Sequence, residues 1–159
     1  MSSFTFGLKT ARTMDEDVHS IIPTTFDSEL IAQLGATEFE VQHPAPYFSF
    51  IEQHLPIVGS MASGGELLCA KESASAPGEW WETIQLAIVR QVGEASPQHM
   101  AVVVGDNMMH YAYALRYSQF IQHMEDFFSI PQDTYVLLQS SKVCFQYSYE
   151  DQLFLYRLD

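Results

Sequence analysis

The chain has 159 residues, 47 % hydrophobic and 17 % charged, enough to bury a core without metals or disulfides, so wholesale disorder is excluded. Twenty acidic residues against seven basic ones give a net charge of -13, a field that repels nucleic-acid phosphates and anionic membranes and attracts basic proteins or cations. No apolar run approaches the ~18 residues of a membrane span, so neither direct nucleic-acid binding nor membrane association is expected.

The N-terminal MSSFTFGLKT lacks the apolar core of a secretory signal. Cys69 and Cys144 sit in the apolar runs ELLCA and KVCFQ, with no CxxC and no zinc spacing to histidine. Both read as buried free thiols, and a cytoplasmic, reducing compartment is expected.

Residues 4–8 read as a short strand or a mobile end. Asp15, Glu16 and Asp17 form an acidic cluster in a loop and open an interval without bases that runs from Arg12 to Lys71. Thr25 is placed to cap a helix over 26–34, with Gly35 at its stop and Asp27 and Glu29 in its first turn. Phe26, Leu30, Ile31 and Leu34 form its apolar stripe. Residues 37–41 alternate as a strand. His43-Pro44-Ala45-Pro46 breaks the chain, because each proline restricts the residue before it. Tyr47, Phe48, Ile51 and Leu55 then have helical spacing, and Pro56 ends that helix. GSMASGG reads as a flexible connector; it lacks the Lys-Ser/Thr of a phosphate loop. Residues 66–71 are apolar and short, and periodicity does not separate strand from helix there. ESASAPGE is a loop.

Three strands are expected next. In the first, residues 80–92, Ile84, Leu86, Ile88 and Val92 share one parity. The second ends at Gly105, where Gly105-Asp106-Asn107 suits a tight hairpin with positive φ. In the third, Met109, Tyr111, Tyr113, Leu115 and Tyr117 share a bulky face, while His110, Ala112, Ala114 and Arg116 share a smaller, more polar one. Ser118 then caps a helix to about Ser129, burying Phe120, Ile121, Met124, Phe127 and Phe128. Residues 135–139, 142–149 and 152–158 are three more strands, the last two turning at Glu150-Asp151. Short links favour antiparallel pairing, and the whole reads as a single α+β domain over residues 1–159, a mainly antiparallel sheet with helices packed on one face.

Catalytic patterns are sparse. None of the six histidines forms HxH, HxxxH or HExxH, and Asp15-Glu16-Asp17 lacks the spacing and glycine of a calcium loop, so no metal and no cofactor are expected. His110 and Arg116 share a strand face, a possible base beside an anion-binding group. A Cys144–His110 nucleophile pair is disfavoured, because nothing near Cys144 lowers its pKa. Glu79-Trp80-Trp81-Glu82 carries more promise. Adjacent tryptophans on a strand point to opposite faces, so one enters the core and the other, flanked by acids, becomes an anchor for a basic partner.

The expected function is a non-enzymatic acidic binding module, an inhibitor, immunity-type protein or chaperone that neutralises a basic partner such as a toxin or nuclease. Asp15, Glu16, Asp17, Glu79, Trp80, Trp81 and Glu82 are its expected contacts. The alternative is a small enzyme with a sheet-face pocket using His110 and Arg116. A homo-oligomer built through the strand at 152–158 or through the apolar helix is a third reading.

Overall fold

In the computed structural model the described residues are 18–55, 57–58, 61–62, 65–73, 79–92 and 99–158. Seven strands form one sheet: β1 (Phe39–Gln42), β4 (Glu66–Ala70), β5 (Met100–Gly105), β6 (Ala112–Arg116), β7 (Thr134–Leu138), β8 (Val143–Tyr147) and β9 (Gln152–Arg157). Their spatial order is β1-β6-β5-β7-β8-β9-β4, and every neighbouring pair is antiparallel. A separate small hairpin joins β2 (Ile57–Val58) to β3 (Met61–Ala62). Four helices accompany the sheet among the described residues: α1 (Thr25–Leu34), α2 (Ala45–His54), α3 (Trp80–Val92) and α4 (Tyr117–Phe128). The class is α+β, as the order of elements implied.

The pleat sorts the core into two layers. Val103, Tyr113, Leu115, Val136 and Phe145 face Leu30 and Leu34 of α1, Trp80, Ile84 and Ile88 of α3, and the aromatic side of α4. Val102, Val104, Ala112, Ala114, Leu137 and Cys144 face Tyr47, Ile51 and Leu55 on or just after α2. Three helices therefore share one face, and α2 covers part of the other. The face carrying Ala112 and Ala114 is small rather than polar, and bulky side chains of α2 fill the layer. With both faces covered, β5, β7 and β8 are apolar at nearly every position instead of alternating.

Residues 80–92 are a helix, not the expected strand. Trp80, Ile84 and Ile88 are buried at four-residue spacing, which a period of 2 and a period of 3.6 both accommodate. Leu86 decides between them: a strand would bury it beside Ile84 and Ile88, whereas here it is 54 % exposed. The proline-rich break is likewise a helix start. Pro44 is the N-cap of α2 and Pro46 lies in its first turn, where a missing N–H costs nothing. Helix α4 begins at Tyr117 with Arg116 at its N-cap and no side-chain cap bond, so Ser118 is not the cap.

Helix α1 is capped by Thr24, one residue before the expected Thr25. Thr24 Oγ1 accepts the Asp27 N–H at 3.0 Å, and Asp27 Oδ2 accepts the Thr24 N–H at 2.9 Å. Gly35 closes the helix at φ 55°, a conformation that favours glycine. Asp27 does more than favour the helix dipole. It is fully buried, and it also accepts the Tyr113 hydroxyl at 2.6 Å and the His110 N–H at 2.9 Å.

The link from β5 to β6 is longer than a tight hairpin, and Gly105 serves space rather than positive φ. A Cβ there would run into the side-chain amide of Gln132. Gln132 Oε1 accepts three successive backbone N–H groups, Asn107 at 3.3 Å, Met108 at 2.7 Å and Met109 at 3.1 Å. The β8–β9 turn falls at Glu150-Asp151 as expected, with Asp151 at φ 60°.

The strand at 152–158 is no oligomer edge, because β9 is paired with β8 on one side and β4 on the other. The apolar side of α4 is also consumed, with Phe120, Met124, Phe127 and Phe128 in the core. The edges of the sheet are β1 and β4, and β4 is interrupted by a bulge between Leu67 and Cys69.

Asp27→Ala leaves the Tyr113 hydroxyl and two backbone N–H groups without their acceptor, and is expected to destabilise the fold by about 3 kcal/mol or more. Urea unfolding checks this, with the exposed Glu29→Ala as a control expected within about 0.5 kcal/mol of the parent.

Candidate functional site

The first turn of α3 delivers the two tryptophans. They lie about 100° apart around the helix, so both reach the same side of the sheet and do not straddle it. Trp80 is 1 % exposed, and its Nε1 donates to the Tyr147 hydroxyl at 2.7 Å. Trp81 is half-buried, with its ring centroid 5.8 Å from that of Tyr147. Tyr147 stacks on Phe128 at 4.7 Å with planes 6° apart, and its hydroxyl donates to Asp151 Oδ1 at 2.8 Å. Burial raises the pKa of that hydroxyl above the ordinary tyrosine range, against the Trp80 hydrogen bond that lowers it, so Tyr147 stays neutral and keeps its proton for Asp151.

A groove of about 420 Å³ opens over this junction. The buried Phe128 and Tyr147 form its floor, and half-buried Trp81 and exposed Tyr149 complete its aromatic lining. Tyr149 stands just past the end of β8 and is 68 % exposed, unlike Val143, Phe145 and Tyr147, whose parity it shares. Its backbone N–H is held by Asp133 Oδ1 at 2.8 Å. Asp151 and Lys71 are the charged residues of the lining. Glu79 and Glu82 flank Trp81 in sequence and are exposed.

The expected contacts therefore separate. Trp81 lines the groove, while Glu79 and Glu82 are exposed and lie outside its lining. Trp80 is withdrawn from the site: it is buried with its indole N–H satisfied, and a partner cannot reach it without unfolding the first turn of α3. Asp15, Glu16 and Asp17 lie outside the described residues. Tyr149, Asp151 and Phe128 were not anticipated. An aromatic residue placed next to a turn acid, Tyr149-Glu150-Asp151, was the available signal, and it is a weak one.

The enzyme alternative loses its pairing. His110 precedes β6 and lines a second groove of about 630 Å³ with His43 and Asp106, while its Nδ1 lies 2.9 Å from the Ile22 carbonyl. Arg116 ends β6, outside that groove, in an ion pair with Glu38 at 2.7 Å. Cys144 is buried in the sheet layer under α2, and burial raises its thiol pKa far above the usual range. Burial pushes the Cys69 thiol up to about 11. Neither is an activated nucleophile.

His123 on α4 is half-buried, lying 2.9 Å from Thr37 Oγ1 and 3.1 Å from Asp126. Asp106 and Asp133 form a carboxyl pair joined by backbone contacts, and desolvation followed by the Asp133 charge raises the Asp106 pKa. Among the described residues no group of three or more His, Cys, Asp or Glu is placed to hold a metal, and no helix is long and apolar enough to cross a membrane. No protein family matches the chain, and neither a curated protein nor a solved structure does.

Only Cys144 is fully buried; Cys69 is half-buried on the edge strand β4, so a thiol-specific disulfide reagent at pH 8 is expected to leave Cys144 of the folded protein unmodified over minutes, to reach Cys69 sooner, and to modify both in denaturant. Rapid reaction of Cys144 in the native protein would contradict its burial.

Proposed function

We propose that the protein is a non-enzymatic binding module that docks a basic protein partner, in the manner of an inhibitor, immunity-type protein or chaperone. One observation carries this reading: half-buried Trp81 lines a groove together with Phe128, Tyr147 and Tyr149, and its near neighbours in sequence, Glu79 and Glu82, are exposed. Aromatic anchors of this kind dominate binding energy at protein interfaces, while surrounding charges set the association rate and exclude wrong partners. The net charge of -13 supplies long-range attraction for a basic surface such as that of a toxin or nuclease. Against the alternative of an enzyme using His110 and Arg116, Arg116 lies outside the groove that His110 lines, and Cys144 is buried.

Capture of partners from a lysate, eluted with rising salt, tests the reading. A basic protein retained by the parent is expected to bind at least tenfold more weakly to Trp81→Ala and to Glu79→Lys/Glu82→Lys. The double charge reversal acts mainly on the association rate and its salt dependence. Retention unchanged by all of these substitutions would remove the proposed surface.

A further inference from the structure

We infer that the groove beside Trp81 receives a guanidinium side chain from the basic partner; this rests on the binding reading above and names its central contact. The groove combines three features that a planar cation needs. Trp81 and Tyr149 bring aromatic rings into the lining, Tyr149 largely exposed, and arginine stacks on such rings through both its charge and its planarity. The floor is rigid, because Tyr147 is stacked on Phe128 and its hydroxyl is engaged by Trp80 on one side and Asp151 on the other. The carboxylate is pre-positioned. Tyr147 holds Asp151 Oδ1, and Oδ2 takes no hydrogen bond among the described residues, so it remains available to a guanidinium N–H.

The sequence next to the lining is acidic, the sign that suits a cation. Exposed Glu72, Glu79, Glu82 and Glu150 each lie within two residues of a lining residue. Lys71 is the one base in the lining, and it forms no ion pair among the described residues. Its ammonium opposes a bound cation, which fixes the sign of its substitution. A volume of about 420 Å³ falls in the range of ordinary ligand pockets and accommodates a side chain with its flanking backbone.

The test titrates the protein with N-acetyl-arginine amide and follows the indole Nε1–H signal of Trp81 by NMR, with N-acetyl-lysine amide and N-acetyl-glutamate amide alongside. Arginine amide is expected to shift that signal, with affinity lowered roughly tenfold by Trp81→Ala and by Asp151→Asn, and raised about threefold by Lys71→Gln. Asn suits Asp151 as a replacement because it tolerates the positive φ of that position and still accepts the Tyr147 hydroxyl. Leu86→Ala, on the outer side of α3, is expected to change nothing. Absence of any shift, equal affinity for the lysine amide, or weaker binding in Lys71→Gln would each overturn the inference. If Asp151→Asn leaves a captured basic partner bound while Glu79→Lys/Glu82→Lys releases it, the groove is refuted and the broader reading stands. If neither substitution affects any basic partner, both fall.

Discussion

The buried carboxylate of Asp27 is the constraint on which the arrangement of α1 against the sheet depends. It caps its own helix through Thr24, and it reaches across to the Tyr113 hydroxyl and the His110 N–H. A buried carboxylate without partners would be very costly, so its position is determined by donors from two separate parts of the chain. Gln132 acts on the same connection from the β7 side, its one carbonyl oxygen meeting three consecutive amides. Residues 106–111 are thereby held without regular secondary structure, which satisfies backbone groups that would otherwise be stranded at the end of the sheet.

Tyr147 plays the corresponding part at the groove. It belongs to the core by its ring and to the site by its hydroxyl. The ring packs against Phe128 and both tryptophans, and the hydroxyl links Trp80 to Asp151. Helix α3, helix α4 and the β8–β9 turn thus converge on one side chain. The floor of the groove is core material, while half-buried Trp81, exposed Tyr149 and Asp151 complete its lining. This division would suit the proposed recognition, because side chains already fixed by the core need little ordering on binding.

The architecture was more legible in the sequence than the site. The alternation of Met109, Tyr111, Tyr113 and Leu115 against Ala112 and Ala114 predicted the two faces of β6, and the aromatic stripe of α4 predicted its buried side. Residues 80–92 misled because buried positions four apart satisfy both a helix and a strand; only the exposure of Leu86 separates them, and exposure is not written in a side chain. The site was half visible. Trp81 and its flanking acids announced themselves by type, but the fate of Trp80 depended on a partner 67 residues away. The pairings of Asp27 with Tyr113, Gln132 with residues 107–109, and Tyr147 with Trp80 are all long-range, and a single sequence carries no local sign of them.

The bulge in β4 has a consequence for the fate of the molecule at high concentration. Among the described residues the seven-stranded sheet ends at β1 and β4, and an unpaired edge is a template on which another chain can add a strand. At β4 the register shifts between Leu67 and Cys69, so the outward N–H and C=O groups lose the regular spacing that an incoming strand requires. The opposite edge, β1, is only four residues long and ends against the prolines that open α2. Neither border offers a long, even template, and the strong like charge of two such molecules adds repulsion. Polymerisation by continuous strand addition is thus obstructed by backbone geometry at one border, by brevity at the other, and by electrostatics at both.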